Sequence, residues 1–126
     1  MVENLISKEV INLSIQLHSE LGPGLLESLY EKILLLELRK MGFKAESQVD
    51  MPVYYKGELI KLGFRADIVV ENKVILELKS IERINRAHFK QLQTYLKLSN
   101  IKLGLLLNFG SPTMKEGIKR IINGTI

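Results

Sequence analysis

The chain has no cysteine, no tryptophan, two histidines and few acidic residues in its second part. Without cysteine, disulfide bonds, zinc–thiolate sites and cysteine nucleophiles are excluded. The two histidines lack the Glu-x-x-His spacing of zinc hydrolases. No apolar run reaches the roughly 20 residues that cross a membrane, so we expect no membrane partner.

Composition predicts one soluble domain over residues 1–126, with 46% hydrophobic and 25% charged residues. The N-terminus has no basic region followed by an apolar stretch, which predicts no signal peptide. Absence of cysteine suits a reducing compartment, so we expect a cytoplasmic protein.

Charge is divided unevenly along the chain. Residues 1–78 hold 9 basic and 12 acidic residues, whereas residues 79–126 hold 9 basic and 2 acidic residues. Such a basic segment suits an anionic partner, most commonly a phosphate backbone. A solvated helix face explains the same pattern, and charge alone leaves both interpretations open.

Apolar periodicity and turn residues predict an α/β fold with the element order ααβββαβα. The predicted helices cover residues 2–21, 25–41, 84–98 and 113–122, the last capped by Thr113. The predicted strands cover residues 44–55, 59–70, 73–80 and 102–109. Pro52 in the first strand indicates a sheet edge or a bulge.

Among the ionisable residues of the second and third predicted strands, three stand out because each would be costly to bury without a partner: Asp67, Glu77 and Lys79. Side-chain alternation predicts Arg65, Asp67 and Val69 on one face, opposite Phe64, Ala66, Ile68 and Val70. Residues 67 and 77 both have odd numbers. Asp67 can therefore lie directly opposite Glu77 only if the two residue numbers of every cross-strand pair between these strands add up to an even number. We therefore predict a three-residue loop over residues 71–73, with Asn72 or Lys73 at positive φ.

Four motifs together resemble a known superfamily. Asp67 followed by Glu77-x-Lys79 resembles the PD-(D/E)XK nucleases, although Ala66 stands where the name expects proline. Residues 24–30, GLLESLY, resemble the signature of the GxxExxY family within that superfamily. Residues 91–95, QLQTY, resemble the QxxxY pattern of its exonuclease-like branch.

This resemblance implies a restriction-endonuclease-like core with a mixed sheet flanked by helices. It also implies a Mg²⁺- or Mn²⁺-dependent nuclease. In such an enzyme Asp67, Glu77 and the Leu78 carbonyl would hold the metal, Glu27 would assist, and Lys79 would serve catalysis. Nucleic acid, with DNA favoured over RNA, would be contacted through its backbone by Gln91, Tyr95, Arg83, Arg86 and Lys90.

Each feature also has a structural alternative. Lys79 can pair with Asp67 or Glu77 as a surface ion pair. If Gly24 is the N-cap, Glu27 occupies position N3, where the helix dipole favours an acid. Tyr30 is predicted to be structural. The alternative function is a weakly active or inactive nuclease-fold module that binds nucleic acid, a protein partner or a second copy of itself.

Overall fold

The computed structural model describes residues 2–126, except for the side chains of residues 61–63. Its elements are α1 (Val2–Leu21), α2 (Glu27–Lys40), β1 (Ala45–Tyr55), β2 (Glu58–Val70), β3 (Val74–Lys79), α3 (Arg86–Ser99), β4 (Leu103–Asn108), α4 (Met114–Gly117) and β5 (Ile118–Ile122). The first seven elements have the predicted type and order.

The strands form one mixed sheet in the order β1-β2-β3-β4-β5. β3 and β4 run parallel, and the other neighbours are antiparallel. The first core cluster joins the sheet to α1 and α2 on one face. The second core cluster joins the sheet to α3 on the other face. This arrangement confirms the predicted α/β class, a mixed sheet flanked by helices.

The predicted helix over residues 113–122 is wrong beyond its first turn. Thr113 caps a short helix, its hydroxyl accepting a hydrogen bond from the backbone of Glu116 at 3.4 Å. The following segment is β5, which pairs antiparallel with β4 at the sheet edge. Its three isoleucines are β-branched and suit a strand, and pairing with β4 satisfies its backbone groups.

The prediction for Pro52 is confirmed. β1 is an edge strand, and its register against β2 shifts between Met51 and Val53. Proline has no N–H to donate to the neighbouring strand, so the bulge places it where no hydrogen bond is lost.

The start of α2 differs from the sequence prediction. Leu26 is the N-cap residue instead of Gly24, so Glu27 is the first helical residue and not N3. The spacing of apolar residues predicts Leu26 and Leu29 on the buried face of this helix, but they are 76% and 42% exposed. The buried face consists of Tyr30, Leu34 and Leu38.

Tyr30 is structural, as predicted. Its ring is fully buried and stacks on Phe109 with a centroid distance of 4.3 Å. Its hydroxyl donates to the Gly22 carbonyl and accepts from the Leu25 backbone N–H at 3.2 Å. Tyr30 therefore holds the loop between α1 and α2 against the sheet.

Replacing Tyr30 with phenylalanine should lower the free energy of unfolding by about 1–2 kcal/mol, because two loop backbone groups lose their partner. Urea unfolding monitored by circular dichroism measures this. Tyr54→Phe is the matched control, since Tyr54 is 63% exposed and its loss should change stability little. Equal effects of the two substitutions would contradict the assigned role of Tyr30.

Candidate active site

The turn between β2 and β3 sets which side chains meet. As predicted, residues 71–73 form a three-residue loop, with Asn72 at φ 55° and Glu71 also at positive φ, 53°. The adjoining pairs are Ile68 with Leu76, Val69 with Ile75 and Val70 with Val74. Continuing this register places Asp67 opposite Glu77, so the predicted juxtaposition is confirmed.

The side chains of Asp67 and Glu77 each accept a hydrogen bond from the backbone of the neighbouring strand, so the two carboxylates link β2 and β3. The Asp67 backbone N–H donates to Glu77 Oε1 at 3.4 Å, and the Leu78 backbone N–H donates to Asp67 Oδ2 at 2.9 Å. The paired part of the ladder ends one residue earlier, at Ile68 and Leu76. Carboxylate oxygens thus replace carbonyl oxygens as partners of backbone N–H groups, and both acids are held in fixed positions.

The sequence predicts that the even-numbered residues 64–70 of β2 share one face, and this prediction is wrong, because the face changes at Asp67. Phe64 and Ala66 pack in the cluster against α3 together with Val69, whereas Ile68 and Val70 pack in the cluster against α1 and α2. The alternation therefore changes phase between Ala66 and Ile68.

β1 changes phase at the same level, at Gln48. Gln48 lies opposite Asp67 on β1 and has φ 50°, a left-handed conformation that is uncommon for a residue with a side chain. Along β1, Ala45 belongs to the first core cluster, whereas Val49 and Met51 pack against the second. The left-handed backbone of Gln48 therefore moves the following side chains of β1 to the opposite face of the sheet. Backbone strain of this kind clusters at functional sites.

Sequence reasoning missed two residues here, Gln48 and Glu31. The Gln48 amide donates to both carboxylate oxygens of Glu31, at 2.9 and 3.1 Å, and reaches Asp67 Oδ1 at 3.5 Å. Glu31 lies one helical turn after Glu27, so the same helix face offered a signal for it. Glu27 itself is exposed, and its charge acts on Glu31.

Glu77 is the most perturbed acid of the group. Its side chain is 8% exposed, and burial together with the negative charges of Asp67 and Glu31 raises its pKa to about 8. Burial also raises the pKa of Glu31, against the opposing effect of its hydrogen bond with Gln48. Carboxylates held this close repel one another, and a cation bound among them would relieve that repulsion.

Lys79 and Leu78 complete the β3 segment. Lys79 is half-buried, and its charge lowers the pKa of Glu77, which places its ammonium within electrostatic range of that carboxylate. Leu78 is buried in the cluster against α1 and α2, and only its backbone takes part in the site.

α3 brings two predicted residues toward the carboxylates. Tyr95 stacks on Phe64 with a centroid distance of 3.9 Å. Burial raises the pKa of Tyr95, the charge of Glu77 raises it further, and a hydrogen bond with Gln91 lowers it. Gln91 and Tyr95 therefore form a connected pair beside Glu77. His88 has a different role, because its Nδ1 accepts from the Asn85 backbone N–H at 3.1 Å in a capping box.

Comparison with known proteins agrees with this geometry. A family model described as the PD-(D/E)XK nuclease superfamily matches residues 4–121. The chain belongs to this superfamily. A crystal structure of a protein called SSO0001 has a similar fold, with a TM-score of 0.50 and 22% sequence identity. That alignment covers 94% of this chain and 66% of the SSO0001 chain, and the likeness bears on the fold alone. No curated protein matches the chain.

PD-(D/E)XK nucleases generally use divalent metal ions. In the described part of the chain, no three Asp, Glu or His side chains form a group that could hold a metal ion. Mg²⁺ requires less, because it usually binds one or two carboxylates and completes its shell with water and substrate phosphate. The close pair Asp67 and Glu77 supplies these hard oxygen donors, so the residues fit a cation that shares its shell with a substrate.

Basic residues follow β3 toward α3. Arg83, Arg86 and Lys90 are exposed, and within the described residues none of them forms an ion pair. Exposed cations without an ion-pair partner suit an anionic ligand such as a phosphate backbone. None of the helices in the described region is long and apolar enough to cross a membrane.

Proposed function

We propose that the protein hydrolyses phosphodiester bonds of nucleic acid, with DNA the favoured substrate, using Mg²⁺ or Mn²⁺. The observation that carries this proposal is the placement of Asp67 against Glu77, with Lys79 two residues further on β3, in a chain of this superfamily. The presence of Gly24, Glu27 and Tyr30 at GxxExxY spacing supports placement in that narrower family.

Asp67 and Glu77 would hold the cation, with the Leu78 carbonyl as a third protein ligand. A bound divalent cation would supply charge neutralisation at the phosphate and would lower the pKa of a water. From α2, Glu31 is better placed than Glu27 to assist, because Gln48 links Glu31 to Asp67. Glu27 as a carboxylate that assists in holding the metal stays a prediction, and its charge acts on Glu31.

Lys79 would orient the attacking water and stabilise the negative charge that develops on the phosphate. Gln91 and Tyr95 would contact a phosphate next to the scissile bond. Arg83, Arg86 and Lys90 would hold the backbone beyond it, and their exposure leaves them free to do so.

The test compares Asp67→Ala with wild type by calorimetric titration of Mg²⁺ and Mn²⁺, together with a plasmid-nicking assay on the same samples. Asp50→Ala is the matched control, because Asp50 lies on β1, is exposed and pairs with Arg65 at 3.0 Å. We expect wild type and Asp50→Ala to bind metal and cut nucleic acid, and Asp67→Ala to lose both.

A folded Asp67→Ala protein that cuts as fast as wild type would end the proposal. Unchanged metal affinity in Asp67→Ala, with nucleic-acid binding intact and no cleavage in any variant, would favour the alternative of an inactive binding module. The exposed Leu26 and Leu29 at the start of α2 would then be the first place to look for a partner surface.

A further inference from the structure

A cleft of about 600 Å³ lies beyond the carboxylates, between the loops that follow β3 and β4. Its lining includes Glu82, Arg83, Phe89, Ser111, Glu116 and Lys119. Its volume is in the range of small-molecule sites, and the carboxyl ends of parallel strands are a frequent place for them. Of these residues, only Arg83 is among those expected to contact the nucleic-acid backbone.

The walls of the cleft are fixed by Asn108, which is fully buried at the end of β4. Its Oδ1 accepts from the backbone N–H groups of Ile81 and Gly110, both at 3.1 Å. Its Nδ2 donates to the Ile81 carbonyl at 2.9 Å and to Ser111 Oγ at 3.1 Å. One amide therefore ties the two loops together, and the cleft is formed before any ligand arrives.

Phe89 lies outside both core clusters. Among the four phenylalanines, all of them described by the structure, Phe43 and Phe109 join the first core cluster and Phe64 packs against the second. Phe89 belongs to neither cluster, although its sequence spacing predicts an inward position beside Leu92 and Leu96. Its half-buried ring lines the cleft instead, where it can stack on a flat ligand.

The charged groups of the lining have both signs. Arg83 and Lys119 can contact phosphate, while Glu82 and Glu116 can accept hydrogen bonds from ring N–H or exocyclic amino groups. A simple anion would use only the cations, and an apolar ligand would use only the ring. A nucleotide uses all three kinds of group.

The cleft is also within reach of the proposed catalytic residues. Arg83 follows Lys79 by four residues, so their Cα atoms are at most about 14 Å apart. The cleft is therefore close enough to be reached by a strand whose phosphate lies at Asp67 and Glu77.

We propose that this cleft is a subsite for one unstacked nucleobase of a single-stranded nucleic acid, stacked on Phe89 with adjacent phosphates at Arg83 and Lys119. The proposal rests on the proposed function for the identity of the ligand as nucleic acid. It deepens that function, because a base inside a duplex is stacked on its neighbours and cannot offer its face to Phe89. The substrate is then a single strand, or a duplex with a frayed or unpaired segment.

The test is fluorescence anisotropy with short labelled single strands in EDTA, so that cleavage plays no part. A single abasic position is moved along the strand. In wild type we expect one position at which base removal weakens binding about 5- to 100-fold, as for other base–aromatic stacks. Phe89→Leu should bind more weakly and lose that positional dependence, whereas Phe89→Tyr should keep it. Leu98→Ala, an exposed change on the same helix, should behave as wild type.

The abasic series on wild type tests the proposal without any variant, and no sensitive position would overturn it. An equal positional effect in wild type and Phe89→Leu would overturn it as well, as would duplex binding as tight as single-strand binding. Base-dependent binding without metal-dependent cleavage would sustain the subsite and refute the nuclease function. Metal-dependent cleavage without base-dependent binding would sustain the nuclease function and refute the subsite.

Discussion

Lys79→Ala should slow metal-dependent cleavage by about 10²–10³-fold, the usual cost of removing one group that stabilises charge in a transition state. Metal binding should be retained, because Asp67 and Glu77 remain in place and ammonium groups do not ligate cations. Single-turnover cleavage at saturating metal, with metal titration of the same variant, separates the two effects. Lys97→Ala, an exposed lysine in the last turn of α3, is the matched control.

A second explanation of such a loss can be tested in the same experiment. Lys79 lowers the pKa of Glu77, so its removal also favours the protonated and poorly ligating form of that acid. Raising the pH to 9 favours the ionised form of Glu77 in the variant too, so this indirect effect should be smaller there than at neutral pH. Recovery of cleavage and metal affinity together at pH 9 would mean that Lys79 acts through Glu77 and not on the substrate.

The pairing of β2 with β3 was predictable from sequence, because it depends on local rules. A strand alternates with a period of two, and a three-residue loop fixes the parity of the pairs. The φ of 55° at Asn72 and the register of Val70 with Val74 follow from this reasoning. The mixed sheet, by contrast, was expected from the resemblance to the superfamily, because its parallel pair β3 and β4 is joined only through α3.

Glu31 and Gln48 were not predictable in this way, because their roles depend on how α2 approaches β1. Their hydrogen bond joins two residues 17 positions apart, and nothing in the sequence of either element requires it. The left-handed φ of Gln48 and the change of phase beside it in β2 likewise depart from the regular alternation that the sequence of β2 alone supports. Residues 118–122 illustrate a third limit, since the vacant edge of β4 decides between helix and strand there.

Glu77→Gln should stabilise the metal-free protein at high pH, by about 2–4 kcal/mol near pH 9, and should change stability little near pH 4.5. The pKa of Glu77 rises from 4.5 to about 8 in the folded protein, chiefly through burial. The folded state therefore binds this proton more tightly than the unfolded state does. Stability from Glu77 is fully present below pH 4.5 and is lost as pH rises through 8. Glutamine carries no charge at any pH and avoids that loss.

Urea unfolding between pH 4.5 and 9, in EDTA and in Mg²⁺, measures this difference. In wild type, Mg²⁺ should restore more stability at pH 9 than at pH 5.5, because cation and proton compete for the same carboxylates. Glu77→Gln should lose most of the Mg²⁺ effect while gaining stability in EDTA. Glu46→Gln, an exposed change on β1, should follow wild type in both buffers. A stability difference between Glu77→Gln and wild type that does not vary with pH would mean that protonation of Glu77 is not linked to folding. In that case cation binding does not act by offsetting the cost of burying the charge of Glu77.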